Sequence, residues 1–202
     1  DELKLLRETM QRTGRILQVG HQGRQDAIHL AAHNVVKRGT LGKVALVQTF
    51  LSRGGPAQAW IRPISPVNPP GLDVVHWDLF LGDLPRREYD ARRYFEWRRF
   101  WDYSTGIAGD LMSHELDTVH HVLELGVPKS AVASGGVYFW KDGRETPDTW
   151  SVVLEYPDRE LSISYGANIH NNYDSRASIF LGSEATMELD WECRVYPDSG
   201  SG

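Results

Sequence analysis

Residues 97–125 read WRRFWDYSTGIAGDLMSHELDTVHHVLEL, an approach rich in arginine and aromatics that runs into a helix. At about 100° per residue, the spacing puts Asp110, His114, Asp117 and His121 within roughly 60° of one another on one helix face. Leu111, Met112, Leu116, Val119, Val122 and Leu123 point the other way, so one side suits a core while the other presents carboxylates and imidazoles. A solvated helix face ordinarily carries Lys and Glu. Asp and His are poorer helix formers, and their clustering here points to used chemistry, although any amphipathic helix has a polar stripe.

The segment Gly106-Ile-Ala-Gly-Asp110-Leu-Met-Ser-His114-Glu-Leu-Asp117 resembles the G-x-x-x-D-x-x-x-H-x-x-D helix of the Gfo/Idh/MocA oxidoreductases. Further similarities follow in order: Val19–Arg24 to that family's segment leaving the nucleotide domain, Gly39–Val44 to its helix-to-strand turn, and Leu181–Met187 to a late hairpin, with Ala185 where a second Gly is usual. The resemblance implies that residues 1–20 are a remnant of a nucleotide-binding (Rossmann) domain. It also implies that 21–198 form a substrate-binding and oligomerisation domain; 199–202 read as a flexible tail.

Composition is compatible with this. With 202 residues, 41% of them hydrophobic and 24% charged, the chain can bury one good core. A net charge of −5 argues against a nucleic-acid partner. The arginines at 86, 87, 92, 93, 98 and 99 are a local exception; acidic neighbours Asp83, Glu88, Asp90 and Glu96 favour structural ion pairs. No apolar run is long enough to span a bilayer, so no membrane partner is expected. The lone Cys193 excludes an intrachain disulfide and fits a reducing, cytoplasmic setting.

The apolar period predicts a helix from Leu3 to Met10 stopping at Gly14, a short buried strand over Arg15–Val19, a helix over Asp26–Arg38 and a strand over Lys43–Leu51. Ser52–Val75 reads as a long loop, and His76–Gly82 as a helical turn carrying aromatics into the cleft. The central helix is expected to stop at Gly126-Val-Pro128. Beyond it come strands over Ser130–Trp140 (with a bulge at Gly135-Gly136), Thr149–Tyr156, Glu160–Asn168, Arg176–Leu181 and Thr186–Trp191. The expected class is α+β: an open, mainly antiparallel sheet with helices packed on one face.

Oxidising a sugar or polyol hydroxyl to a ketone needs a base near the hydroxyl, a group that fixes the base, and polar contacts for the other hydroxyls. Imidazole titrates near neutrality, so His114 is the candidate acid/base, with Asp110 beside it; by resemblance these match the family's catalytic positions. The family's Glu-Lys-Pro and glycine-rich pyrophosphate turn are not found in the sequence, so the NAD or NADP the resemblance implies would belong to a full-length parent, and the chain alone is expected to be inactive. His21 and Gln22 are candidate cofactor contacts. Gln22, Arg24, Trp101, Tyr103, Asn168, His170 and Tyr173 are candidate substrate contacts, and Asp117 is expected to brace the helix or the loop before it. His121 is expected to lie exposed. No metal site is expected, since four ligands along one stripe span about 16 Å and cannot reach one ion. Two other readings remain open: a metal-dependent hydrolase or isomerase using Asp110 and His114, and a sugar-binding or oligomerisation module without cofactor. The resemblance also implies a homo-oligomer assembled through the open sheet.

Overall fold

Elements are labelled in chain order. The helices are α1 (Glu2–Thr13), α2 (Ala27–Lys37), α3 (Trp77–Leu81), α4 (Ala91–Phe95) and α5 (Ser113–Leu123); the strands are β1 (Val44–Ser52), β2 (Ser130–Gly136), β3 (Thr149–Tyr156), β4 (Leu161–Asn168), β5 (Ala177–Gly182), β6 (Ala185–Leu189) and β7 (Cys193–Pro197). The computed structural model describes residues 2–67, 69–173 and 177–198; the expected tail at 199–202 lies outside them.

The two-residue period of β4 fixes the sheet's polarity. Leu161, Ile163, Tyr165 and Ala167 are buried while Ser162, Ser164 and Gly166 are half-exposed. The seven strands lie in the order β2-β3-β4-β1-β5-β6-β7. All neighbours are antiparallel except β1 and β4, which run parallel with Leu46 opposite Ser162. The α+β class and the mainly antiparallel open sheet are therefore observed.

On the covered face Val47, Ile163, Phe180 and Met187, all 0% exposed, meet Val119 of α5 and Ala32 of α2. Each large aliphatic buried in this way contributes roughly 1.5–3 kcal/mol, which fixes α5 against the sheet and brings its polar face to a defined place. The other face leaves Phe50, Val132 and Val153 exposed to 37%, 73% and 42%.

Several expectations are corrected. The helix ending at Gly14 forms, with Gly14 at φ 62, but it buries no residue. Arg15–Val19 is no strand; it is irregular chain, with Ile16 97% and Val19 72% exposed. A strand needs a neighbour for its amide ladder and a core for its side chains, and among the described residues neither lies beside this segment. Gly135 and Gly136 pair in unbroken register with Trp150 and Thr149, so there is no bulge; a Cβ at Gly135 would meet the Thr149 carbonyl at 2.5 Å. α5 ends at Leu123, earlier than Gly126, because Glu124 takes the left-handed cap position at φ 51.

The aromatics of α3 do not enter the cleft. Trp77 and Phe80 stack at 5.3 Å and join Tyr89, Tyr94, Phe95 and Tyr103 in a separate small cluster. The arginine-rich segment is pinned by ion pairs as expected, mostly to acids more distant than the immediate neighbours: Arg87 and Arg93 to Asp102, Arg93 to Glu145, and buried Arg99 to Glu96 and Asp142.

Candidate functional site

Gly106 opens the central segment at φ 56, a conformation that favours glycine, and any Cβ there would lie 2.7 Å from that of Thr146. The chain then makes a π-helical turn over Ala108–Met112 before entering α5. Such a turn closes i to i+5, so the 100° step used on the sequence overstates the rotation through Asp110 and shifts it against His114. The carboxylate accordingly finds a different partner: Asp110 Oδ1 accepts from Arg98 Nε at 2.5 Å. The Arg98 guanidinium in turn lies 4.2 Å from the centroid of the Trp97 ring. Among the described residues no hydrogen bond joins Asp110 to His114.

His114 is exposed at the start of α5, and the His21 ring meets it edge-on with centroids 5.8 Å apart. The loop that carries His21 is tied down from α5. Asp117 accepts from Arg24 Nε at 2.9 and 3.1 Å and from Nη2 at 2.6 Å, a fork-to-carboxylate pair, with His21 Nδ1 3.6 Å away. Burial pushes the Asp117 carboxyl up, but the Arg24 hydrogen bond and charge outweigh it and hold the group below its ordinary value. Asp117 thus braces the His21 loop through Arg24, rather than the loop before α5, and Arg24 itself does not line the cleft.

The cleft these elements enclose has a volume of about 460 Å³. His21, Gln22, Asp110, His114 and Asp117 form part of its wall, with Leu51, Leu111 and Leu189 supplying apolar surface. Its size suits a monosaccharide-scale ligand. Of the remaining candidates, Tyr103 packs in the aromatic cluster and Trp101 is exposed on the arginine-rich segment. Asn168 donates to Ser52 Oγ at 2.8 Å, His170 stacks on Phe139, and Tyr173 lies over the open sheet face. None of these five lines the cleft. Two residues that do, Arg53 and Trp191, escaped the sequence reading; Trp191 could have been found as a large aromatic following an acidic residue at a strand end.

His121, expected to be exposed, is half-buried and stacks on His33 of α2 at 5.5 Å. Burial first, then the positive charge of Arg24 and His33, lowers its pKa below the ordinary 6.5. His120, hydrogen-bonded to the Tyr156 hydroxyl at 2.7 Å, is also lowered, chiefly by burial.

The described residues offer no pyrophosphate cradle for a nicotinamide cofactor. The glycines at 20 and 23 do not open a helix on a phosphate cradle; Gly23 is small because the His29 ring packs where a Cβ would be, 2.5 Å away. Among the described residues no three His, Cys, Asp or Glu side chains converge to hold a metal ion. No helix among them is long and apolar enough to cross a membrane.

The sequence profile of the GFO/IDH/MocA C-terminal domain matches residues 81–188. The chain belongs to the GFO/IDH/MocA family. No curated protein matches it. Among solved structures, the fold is similar to the WlbA dehydrogenase from Bordetella pertussis, crystallised with NADH and UDP-GlcNAcA (TM-score 0.64, 16% identity, 97% of this chain and 51% of that one). It is likewise similar to an inositol dehydrogenase homologue from Azotobacter vinelandii complexed with NADH and myo-inositol (TM-score 0.62, 16% identity, 96% and 45%). This family member thus spans about half the length of the dehydrogenases whose fold it shares.

Proposed function

We propose that this chain is the substrate-binding and acid/base half of a nicotinamide-dependent sugar or polyol oxidoreductase. The observation that carries the reading is that His114 and Asp110 share one monosaccharide-sized cleft with His21 and Gln22, walled by carboxylates that can accept hydroxyl hydrogens. Membership of the family and the dehydrogenase folds it resembles support it. On this reading the His114 imidazole takes the hydroxyl proton as the carbon becomes a ketone. Asp110, held by Arg98, presents its remaining lone pairs to the substrate. Arg24 and Asp117 position the loop bearing His21 and Gln22 at the cleft edge. The oxidant would be NAD or NADP, for which the described residues offer no pyrophosphate cradle, so the chain's part is to bind, orient and move the proton. Residues 1–20 would belong with the nucleotide-binding region, and the apolar open sheet face would join copies into a homo-oligomer.

The test has two arms. Calorimetric titration of the chain with sugars and polyols is expected to show binding without cofactor. In a polypeptide that also carries the nucleotide-binding region, sugar-dependent reduction of NAD or NADP is expected, and His114→Ala is expected to lower turnover by about 10²–10⁴-fold with little change in substrate affinity. Full turnover in that variant would refute the assignment.

A further inference from the structure

The turn between β6 and β7 holds a large aromatic where it covers no core. Trp191 is 71% exposed, yet it forms part of the wall of the cleft that contains His114. The turn beneath it is braced on both sides. Asp190 Oδ1 accepts from the Glu192 amide at 2.8 Å, and Asp190 Oδ2 accepts from Arg194 Nη2 at 2.5 Å. Arg194 also reaches Glu192 at 3.3 Å and lies 3.6 Å from Glu188 on β6. An indole left largely in water at the mouth of a cavity, on a turn locked by a guanidinium, is a surface held ready rather than a packing element.

The rest of the cleft limits what that surface meets. Asp26, Asp110, Asp117 and Asp190 all belong to the wall; each accepts from a neighbour (the Ile28 amide, Arg98, Arg24 and Arg194 in turn), and a carboxylate has further lone pairs with which to accept hydroxyl hydrogens. A cyclic polyol has both matching features, hydroxyls around its edge and an apolar C–H face. An acyclic polyol has the hydroxyls but no fixed C–H face.

We infer that Trp191 is the stacking platform that selects a ring, a pyranose or cyclitol, as the ligand of this cleft. The inference rests on the sugar-binding reading above and adds to it the residue that sets ring specificity. The indole covers the C–H face while the carboxylate wall orders the hydroxyls, so removing the ring system weakens cyclic ligands and leaves acyclic ones unchanged.

The experiment titrates the chain calorimetrically with myo-inositol, D-glucose and the acyclic D-sorbitol, for wild type, Trp191→Ala and Trp191→Phe. Circular dichroism serves as the folding check. Trp191→Ala is expected to weaken the binding ligand among the two cyclic ones about tenfold or more, and Trp191→Phe less than about threefold. D-sorbitol affinity should not move. Saturation-transfer NMR on the wild type gives a readout that needs no variant: protons on one ring face should take up saturation from indole resonances ahead of the others. Unchanged cyclic-ligand affinity in Trp191→Ala, or saturation spread evenly over the ligand, overturns the platform while leaving sugar binding intact. Failure of the wild type to bind either cyclic ligand overturns both.

Discussion

Asp148 shows how one buried carboxylate can hold a loop. It is 0% exposed and accepts the backbone amides of Tyr138, Phe139 and Trp140 at 3.0, 2.9 and 2.7 Å, with the Thr149 hydroxyl at 3.1 Å. Burial raises its pKa, but the three amides more than cancel this and leave it below the ordinary value. Asp148→Ala strands those donors and is expected to cost about 2–4 kcal/mol, read from urea unfolding; a loss under about 0.5 kcal/mol would contradict it. The Arg24 fork onto Asp117 acts differently, since the Arg24 side chain is about half exposed and its removal frees a loop rather than a core. Arg24→Ala should leave stability within about 1 kcal/mol while raising KM or Kd several-fold, measured by the titration above. Neither partnership was legible in the sequence at the level of the pair. Asp117 stood out as a brace, but which cation it would find depends on the return of the chain ninety-odd residues apart in sequence, and that is a tertiary fact.

At the scale of elements, α5 meets α2 through the His33–His121 stack and β3 through His120 and Tyr156, and this makes its packing sensitive to acid. His120 and His121 both titrate below the ordinary 6.5 in the folded state, so the unfolded chain takes up protons first as pH falls. Their contribution is fully present above pH 6.5 and is lost as pH drops below it towards their folded pKa values. The groups facing His121 include His33, Arg24, Asp117 and His29, of which only Asp117 favours the protonated ring. His121→Gln should flatten the pH dependence of the unfolding midpoint below pH 6.5; an unchanged slope would sink the explanation. Asp117 and Asp148 act in a lower window, below their ordinary 3.8. Most elements were legible because their periods are clean: β3, β4 and α2 fall within a residue or so of where alternation and caps put them. What was not legible has physical causes. The π-helical turn breaks the constant angular step on which helix-face arguments depend, and Arg15–Val19 has strand-like residues without a neighbouring strand. β7, whose last residue is Pro197, lacks an alternating pattern because it is an edge strand paired only with β6.

At the scale of the whole molecule, burial is uneven. α1 buries none of its residues, and Arg15–Val19 is exposed throughout, so deleting residues 1–19 should shift the thermal midpoint by less than about 2 °C. A large drop would mean that the segment docks where nothing described here receives it. The open sheet face carries exposed Phe50, Val132 and Val153. If that face joins copies as proposed, Val153→Lys should move the chain to a smaller species by light scattering while leaving the unfolding free energy per chain nearly unchanged. The site depends on the architecture in a simple way: one covered face fixes α5, and the cleft lies where α5, the His21 loop and the ends of β1 and β6 meet.

The position of β1 has a kinetic consequence. Of the seven strands of this sheet it is the first in sequence, yet Leu46 must wait for Ser162 and Val47 for Phe180 before either edge is satisfied. A nascent chain leaving the ribosome therefore carries a bare apolar ribbon until β4 and β5 have emerged. Folding should be paced by that long closure rather than by helix formation, and the interval before it is when a chaperone would have most to shield.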